Sequence, residues 1–237
     1  MITELKIADV TIEIVKKDIK NIHLSVNPPN GFVRLAVPVS ASANVIRTFA
    51  LSKLGWIRKN QKKMRLQERE KPRQYIERET HYIWGRQYLL HIVDGTSKTH
   101  LVVSGKRIKL HKRDGVSVGR VVHVFDDFYK AELLDAVLPL VEKWAKALGV
   151  RIPAVEIRKM KTRWGSCNTH RRIVRLNSEL AKRPKELLSY VVLHEMTHLL
   201  QKTHNQHFFD TLDKLMPNWQ HYRAELNRLP IPFGNWE

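Results

Sequence analysis

The 237-residue sequence predicts an α+β protein: an antiparallel, β-rich amino-terminal region over residues 1–125 containing one long helix (about 42–70), then a compact domain over 126–237. Three observations predict this. Short runs alternate apolar and polar residues through much of the first 125 positions, which is strand periodicity. Two stretches instead space their apolar residues as helices do, near 42–70 and 126–148. The third is Tyr190-Val191-Val192-Leu193-His194-Glu195-Met196-Thr197-His198-Leu199-Leu200, a helix apolar on almost every side.

Residues 2–39 hold the runs Val10–Val15, Ile22–Val26 and Phe32–Val37, with Asn27-Pro28-Pro29-Asn30-Gly31 as a turn between the second and third. They predict a three-stranded antiparallel sheet. From Ser42, a ready N-cap, the spacing of Ile46, Phe49, Ala50, Leu54 and Ile57 predicts a helix that packs on it. Its continuation carries Arg58, Lys59, Lys62, Lys63, Arg65, Arg69, Lys71 and Arg73 against only Glu68 and Glu70. A solvated helical face is the default explanation for such a run.

Strand-like runs return over 75–125 at Tyr82–Trp84, Tyr88–Val93, His100–Val103 and Ile108–Leu110. Gly85, Asp94-Gly95, Ser104-Gly105 and Asp114-Gly115 punctuate them as hairpin turns. A helix is expected over about 126–148, kinked or restarted at Pro139 and ended by Gly149. Val155–Arg158 and Ile173–Asn177 read as strands, and the apolar helix starts near Pro184 with Glu186 in its first turn.

Composition bounds the partners. With 43% hydrophobic residues the chain can bury a real core. Its apolar runs are shorter than a membrane span, so a cytoplasmic protein without a membrane segment is expected. The single cysteine, Cys167, excludes an internal disulfide framework and fits a reducing compartment. A formal net charge of +19 calls for something anionic nearby, such as nucleic acid, a nucleotide or an acidic protein tail, or else a solvated basic surface. The oligomeric state has no signature in the sequence.

Ionisable groups on an apolar helix need partners to offset their desolvation. His194 and His198 are four residues apart, so one helical face stacks their imidazoles within reach of a single metal ion. Glu195, beside the first of them, is placed to take a proton from a metal-activated water, as in His-Glu-x-x-His hydrolases. Catalytic zinc takes three protein ligands, and the candidates for the third are His204, His207 and Glu225. An unbroken helix would point His204 away from the other two. The chain must therefore turn near Lys202 for His204, the favoured one, to coordinate, with a new helix from about Gln206.

Developing negative charge needs a further donor, for which Arg163, His207, His221 and Tyr222 are the candidates, while Ser166 is a candidate for orienting a neighbouring group. Gly165 reads as a close backbone approach at a bend, and Cys167 as a small buried residue.

The segments Arg163-Trp164-Gly165-Ser166-Cys167, Ile173, Leu176-Asn177, Pro184, Tyr190–Leu199, His204, Phe208 and Pro217 resemble the YgjP-like family, related to the SprT-like zinc metallopeptidases. The resemblance extends to the amino-terminal sheet and to Trp56-Ile57, although Trp219 stands where the family commonly shows a tyrosine. It implies a zincin-like catalytic domain over 126–237, one zinc ion on His194, His198 and His204, and Glu195 as the catalytic carboxylate. A peptide substrate follows from it, while the net charge of +19 allows an anionic one. Two alternatives remain: a metal-dependent nucleotide pyrophosphatase that uses the basic run Arg158–Arg175 to hold phosphates, and a nucleic-acid-associated binding protein with a structural metal.

Overall fold

The computed structural model describes residues 2–27, 31–66, 73–160 and 163–228, which form two compact units, Met1–Glu70 and Lys71–Arg228. The boundary falls at 70/71 and not at 125/126. The strands after residue 73 belong with the carboxy-terminal helices for reasons given below.

The first unit has four strands, β1 (Ile2–Ile7), β2 (Val10–Lys17), β3 (His23–Asn27) and β4 (Phe32–Pro38), in the order β1-β2-β4-β3. The expected three antiparallel strands become four, and the central pair β2·β4 is parallel. β1 escapes sequence reading because Thr3, Glu4 and Lys6 dilute its apolar alternation. Both central strands turn one face inward: Val10, Ile12 and Ile14 lie beside Val33, Leu35 and Val37, all buried.

Against that face packs α1 (Ala43–Ser52), with Ile46 and Ala50 buried and the Ser42 hydroxyl capping Val45 N–H. The single long helix expected over 42–70 is two helices, because the chain bends at Lys53, whose N–H is shared between the carbonyls of Phe49 and Ala50. Gly55 weakens helix formation at the start of α2 (Leu54–Leu66). Positions 67–72 of the expected helix and its basic run lie outside the described residues.

The second unit opens with β5 (Thr80–Ile83), β6 (Arg86–Val93), β7 (His100–Ser104) and β8 (Arg107–His111), in the order β5-β6-β8-β7. Two of the expected hairpins form, at Gly85 and Gly105. Asp94-Gly95 instead begins a crossover, since β6 pairs with β8 in parallel, and Asp114-Gly115 leads into a helix.

That helix, α3 (Val118–Leu148), starts eight residues before the expected position, with Ser117 as N-cap. The β-branched stretch Val121-Val122 looks strand-like, but burial of Val121, Phe125, Tyr129, Leu133 and Val137 at intervals of four fixes the helix. Pro139 neither ends nor restarts it. The proline is exposed, on the side where a carbonyl that loses its N–H partner meets water. Gly149 closes the helix at φ 65°.

A three-stranded sheet follows, β9 (Ala154–Arg158), β10 (Gly165–Asn168) and β11 (Ile173–Asn177), in the order β10-β11-β9. The 3-10 turn Ser178–Lys182 then leads to α4 (Lys185–Thr197), α5 (Gln206–Leu215) and α6 (Trp219–Arg228). The β5–β6 turn docks on this region. Trp84 N–H donates to Ala181 O (2.8 Å), its indole N–H donates to Glu132 (3.1 Å), and a Cβ on Gly85 would stand 3.0 Å from Pro184. These bonds make residues 73–228 one unit.

Candidate metal centre

Nine of the thirteen residues of α4 are buried, Glu195 among them at 7% exposed. The helix ends at Thr197, whose hydroxyl donates to Leu193 O (2.8 Å) and whose carbonyl accepts the N–H groups of Leu200 and Gln201. The helix thus ends five residues before Lys202, and the chain bends at Lys202 and Thr203. Asn205 then starts α5, its side chain accepting Phe208 N–H (3.0 Å).

This break brings His204 back over the end of α4. One ligand atom from each of His194, His198 and His204 lies within 4.8 Å of the others, and His204 Nε2 is 3.1 Å from His194 Nε2. Phe208, fully buried, forms the floor, with its ring centroid 5.0, 4.9 and 4.7 Å from the three imidazoles in that order.

The set suits a divalent ion. Tetrahedral coordination with Zn–N bonds of about 2.0–2.1 Å places ligand nitrogens roughly 3.3 Å apart, close to the 3.1 Å of the His194–His204 pair. His198 Nδ1 lies 3.1 Å from Gln201 O, a bond that requires Nδ1–H and leaves Nε2 free to coordinate. His194 Nδ1 faces the Tyr190 hydroxyl at 3.4 Å. Burial, and then the neighbouring His198, His204 and Arg223, pushes the His194 pKa down to about 3. His204 is lowered in the same way, by burial, His198 and Arg223. Both are held neutral, the form that binds metal.

Glu195 stands beside the triad. Burial pushes its pKa up to about 7, against the pull of Arg163. Its seat is Gly165, where a Cβ would stand 2.7 Å from Glu195 Cγ and 2.8 Å from Oε1. Gly165 therefore makes the expected close approach, but from the first position of a strand. Asn177 holds the approach to that strand: its side-chain amide donates to Met160 O and Arg163 O, both at 2.8 Å, and its carbonyl accepts Met160 N–H and Glu179 N–H.

Among the sequence candidates, Arg163 is exposed and acts on Glu195. Ser166 lies, by strand alternation, on the face of β10 opposite Gly165 and Glu195. Cys167 takes the Glu195 face instead, and burial followed by Glu195 pushes its thiol up to about 11, an unreactive thiol. His207 is 80% exposed, lies 3.9 Å from Asp210, and lines a surface groove with Leu200, Gln201, Thr211 and Lys214. It does not join the triad. Glu225 is engaged by His221 at 3.7 Å, and the ring contact of Tyr222 is with His221.

Sequence reasoning missed Tyr190. The signal for it was its place one helical turn before His194. Three cations of the basic run Arg158–Arg175 are paired: Arg158 and Arg175 with Glu156, and Lys159 with Asp126 (2.9 Å).

An apolar helix with two histidines and a buried glutamate, completed by a third histidine after a chain break, is the construction of a metal-dependent hydrolase site. Comparison with known families gives the particular one. Residues 20–229 match the YgjP-like metallopeptidase domain, and the chain belongs to the YgjP-like family.

No curated protein matches the chain. Among solved structures, it is similar to the metallopeptidase zymogen of Pyrococcus abyssi abylysin at 23% identity and a TM-score of 0.36, over 40% of this chain and 99% of that one. For the zymogen of Methanocaldococcus jannaschii jannalysin the values are 24%, 0.35, 38% and 92%. Among the described residues no helix is long and apolar enough to cross a membrane.

Proposed function

We propose that the protein is a zinc-dependent metallopeptidase in which His194, His198 and His204 hold one ion and Glu195 is the general base. The observation that carries this reading is the convergence of three imidazoles next to a buried carboxylate. A bound zinc ion supplies Lewis acidity, which polarises a scissile carbonyl and acidifies water.

The chain's own residues do the rest. Glu195 accepts a proton from the attacking water as its oxygen bonds to the carbonyl carbon and the π electrons pass to the carbonyl oxygen. The same proton then goes to the amine nitrogen as the C–N bond breaks. Burial raises the proton affinity of the Glu195 carboxylate, which favours its acceptance of the water proton.

A peptide is favoured over a nucleotide by one observation. Among the described residues β10 pairs only with β11, so beside Glu195 it offers a free strand edge of the kind that binds extended peptides.

The test compares zinc-loaded wild type with Glu195→Gln on denatured protein and on a nucleotide panel. Protein cleavage by the wild type alone, with zinc retained by both, is the expected result. Nucleotide turnover that depends on Glu195, without protein cleavage, would overturn the peptidase reading.

A further inference from the structure

From Ile19 to Gln67 the chain carries nine Lys or Arg and no Asp or Glu. On α2, Lys59 and Lys62 are exposed and, among the described residues, have no carboxylate partner, whereas Arg58 donates to Asp9 (3.1 Å) and Arg65 acts on the same carboxylate. Charge by itself describes a solvated face. Two further features of this helix are not accounted for by solvation or by packing.

The first is Trp56. The helix is anchored on its sheet by Ile57, which is fully buried, while the neighbouring indole is left 48% exposed. Lys53, whose carbonyl accepts Ile57 N–H (2.9 Å), and Lys59 stand three residues before and after it, about 60° to either side on the helix. The second is Gly55. A Cβ there meets nothing within 4 Å and its φ is not positive, so neither packing nor backbone calls for a glycine, which weakens the helix. What a glycine permits at such a place is close approach of a ligand to the backbone. Gly55, Lys59 and Lys62, at i, i+4 and i+7, form a row along the helix beside Trp56.

We propose that this face of α2 binds single-stranded RNA: a base stacks on the Trp56 indole, the sugar-phosphate backbone passes over Gly55, and its phosphates meet Lys53, Lys59 and Lys62. Stacking on a side chain needs a base outside a duplex, and RNA presents such bases in its loops and ends. A membrane suits the face less well. An interfacial helix inserts a broad apolar side, and among the described residues of α2 Trp56 is the one large apolar side chain that is exposed. An acidic protein segment would engage the lysines and leave the indole and Gly55 without a role. RNA binding at α2 does not depend on the peptidase reading.

The experiment measures binding of a fluorescein-labelled oligouridylate to the full chain by anisotropy over a series of salt concentrations. Oligodeoxythymidylate of the same length, duplex DNA, poly-glutamate and phosphatidylserine vesicles are the comparison ligands. The oligouridylate is expected to bind tightest, and less tightly as salt rises. Trp56→Ala is expected to lose roughly 10-fold in affinity with the salt slope unchanged. Lys53→Gln, Lys59→Gln and Lys62→Gln combined lower the slope of log K against log salt by about 2. Gly55→Leu weakens binding while its thermal midpoint stays at or above that of the wild type. Lys98→Gln, Lys106→Gln and Lys146→Gln combined, which remove equal charge at exposed positions of the second unit, leave the slope as it is.

Wild-type affinity in Trp56→Ala would overturn the proposal, as would an equal fall in slope for the two lysine triples, which makes the binding diffuse attraction to net charge. Tighter binding of the DNA strand, the duplex, poly-glutamate or the vesicles than of the oligouridylate overturns RNA as the occupant.

Discussion

Gly165 lies directly against Glu195: the space a side chain at 165 would occupy is filled by the carboxylate, with 2.7 Å from a Cβ position to Glu195 Cγ. Real Cβ contacts are not that short, so backbone and carboxylate cannot both stay where they are.

Gly165→Ala is accordingly expected to displace the Glu195 carboxylate while leaving metal binding intact, because the three atoms nearest a Cβ there all belong to Glu195. A misplaced base costs on the order of 10²-fold in kcat/KM. Gly119→Ala is the control, since a Cβ there meets nothing closer than 4.0 Å. Equal activity of the two variants would remove Gly165 from the site.

Asn177 makes four hydrogen bonds from a side chain 2% exposed. Asn177→Ala leaves the buried Glu179 N–H and partly buried backbone groups of Met160 and Arg163 without their partner, at about 1–3 kcal/mol for each group that water cannot reach. The expected result is a loss of about 2–4 kcal/mol in urea unfolding, together with lower turnover as Arg163 loses its anchor. A loss below about 0.5 kcal/mol would show that these bonds are replaced by water.

His81 sets a pH dependence separate from catalysis. It is 2% exposed and stacks on Phe125 (4.7 Å); burial, then Arg73, pushes its pKa down to about 4, with Glu79 pulling the other way. The unfolded imidazole titrates near 6.5. Between these values the unfolded chain binds the extra proton, so stability is full above about pH 6.5 and falls as pH drops towards 4, by up to a few kcal/mol. Urea midpoints at pH 7.5, 6 and 5 should fall less steeply for His81→Phe than for the wild type. Parallel curves would show that His81 is not the group responsible.

Much of this was legible in the sequence, and for local reasons. The spacing of His194 and His198 needs only a helix, and Asn205 announces the helix start that makes His204 available. The strands of the second unit follow their alternation. What stayed hidden depended on distant packing. The first two turns of α3 lie before the expected start near 126, because only burial of Val121 and Phe125 marks them as helical. Ser166 is next to Gly165 in sequence, whereas the strand register sends it to the other face. Trp219 stacks with Tyr190 and Phe209, ring contacts that no spacing rule encodes.

The two four-stranded sheets share one plan: a hairpin at each side, joined through a parallel central pair, β2·β4 in one and β6·β8 in the other. Hairpins close over short loops within microseconds, whereas a parallel pair needs both hairpins in hand and a longer loop closed. Each sheet thus has a seam down its middle that zips last, and in each the late-zipping strands hold the most deeply buried residues, Ile12 and Leu35 in one and Leu90 and Ile108 in the other. Refolding of either unit should be paced by that seam and not by its turns.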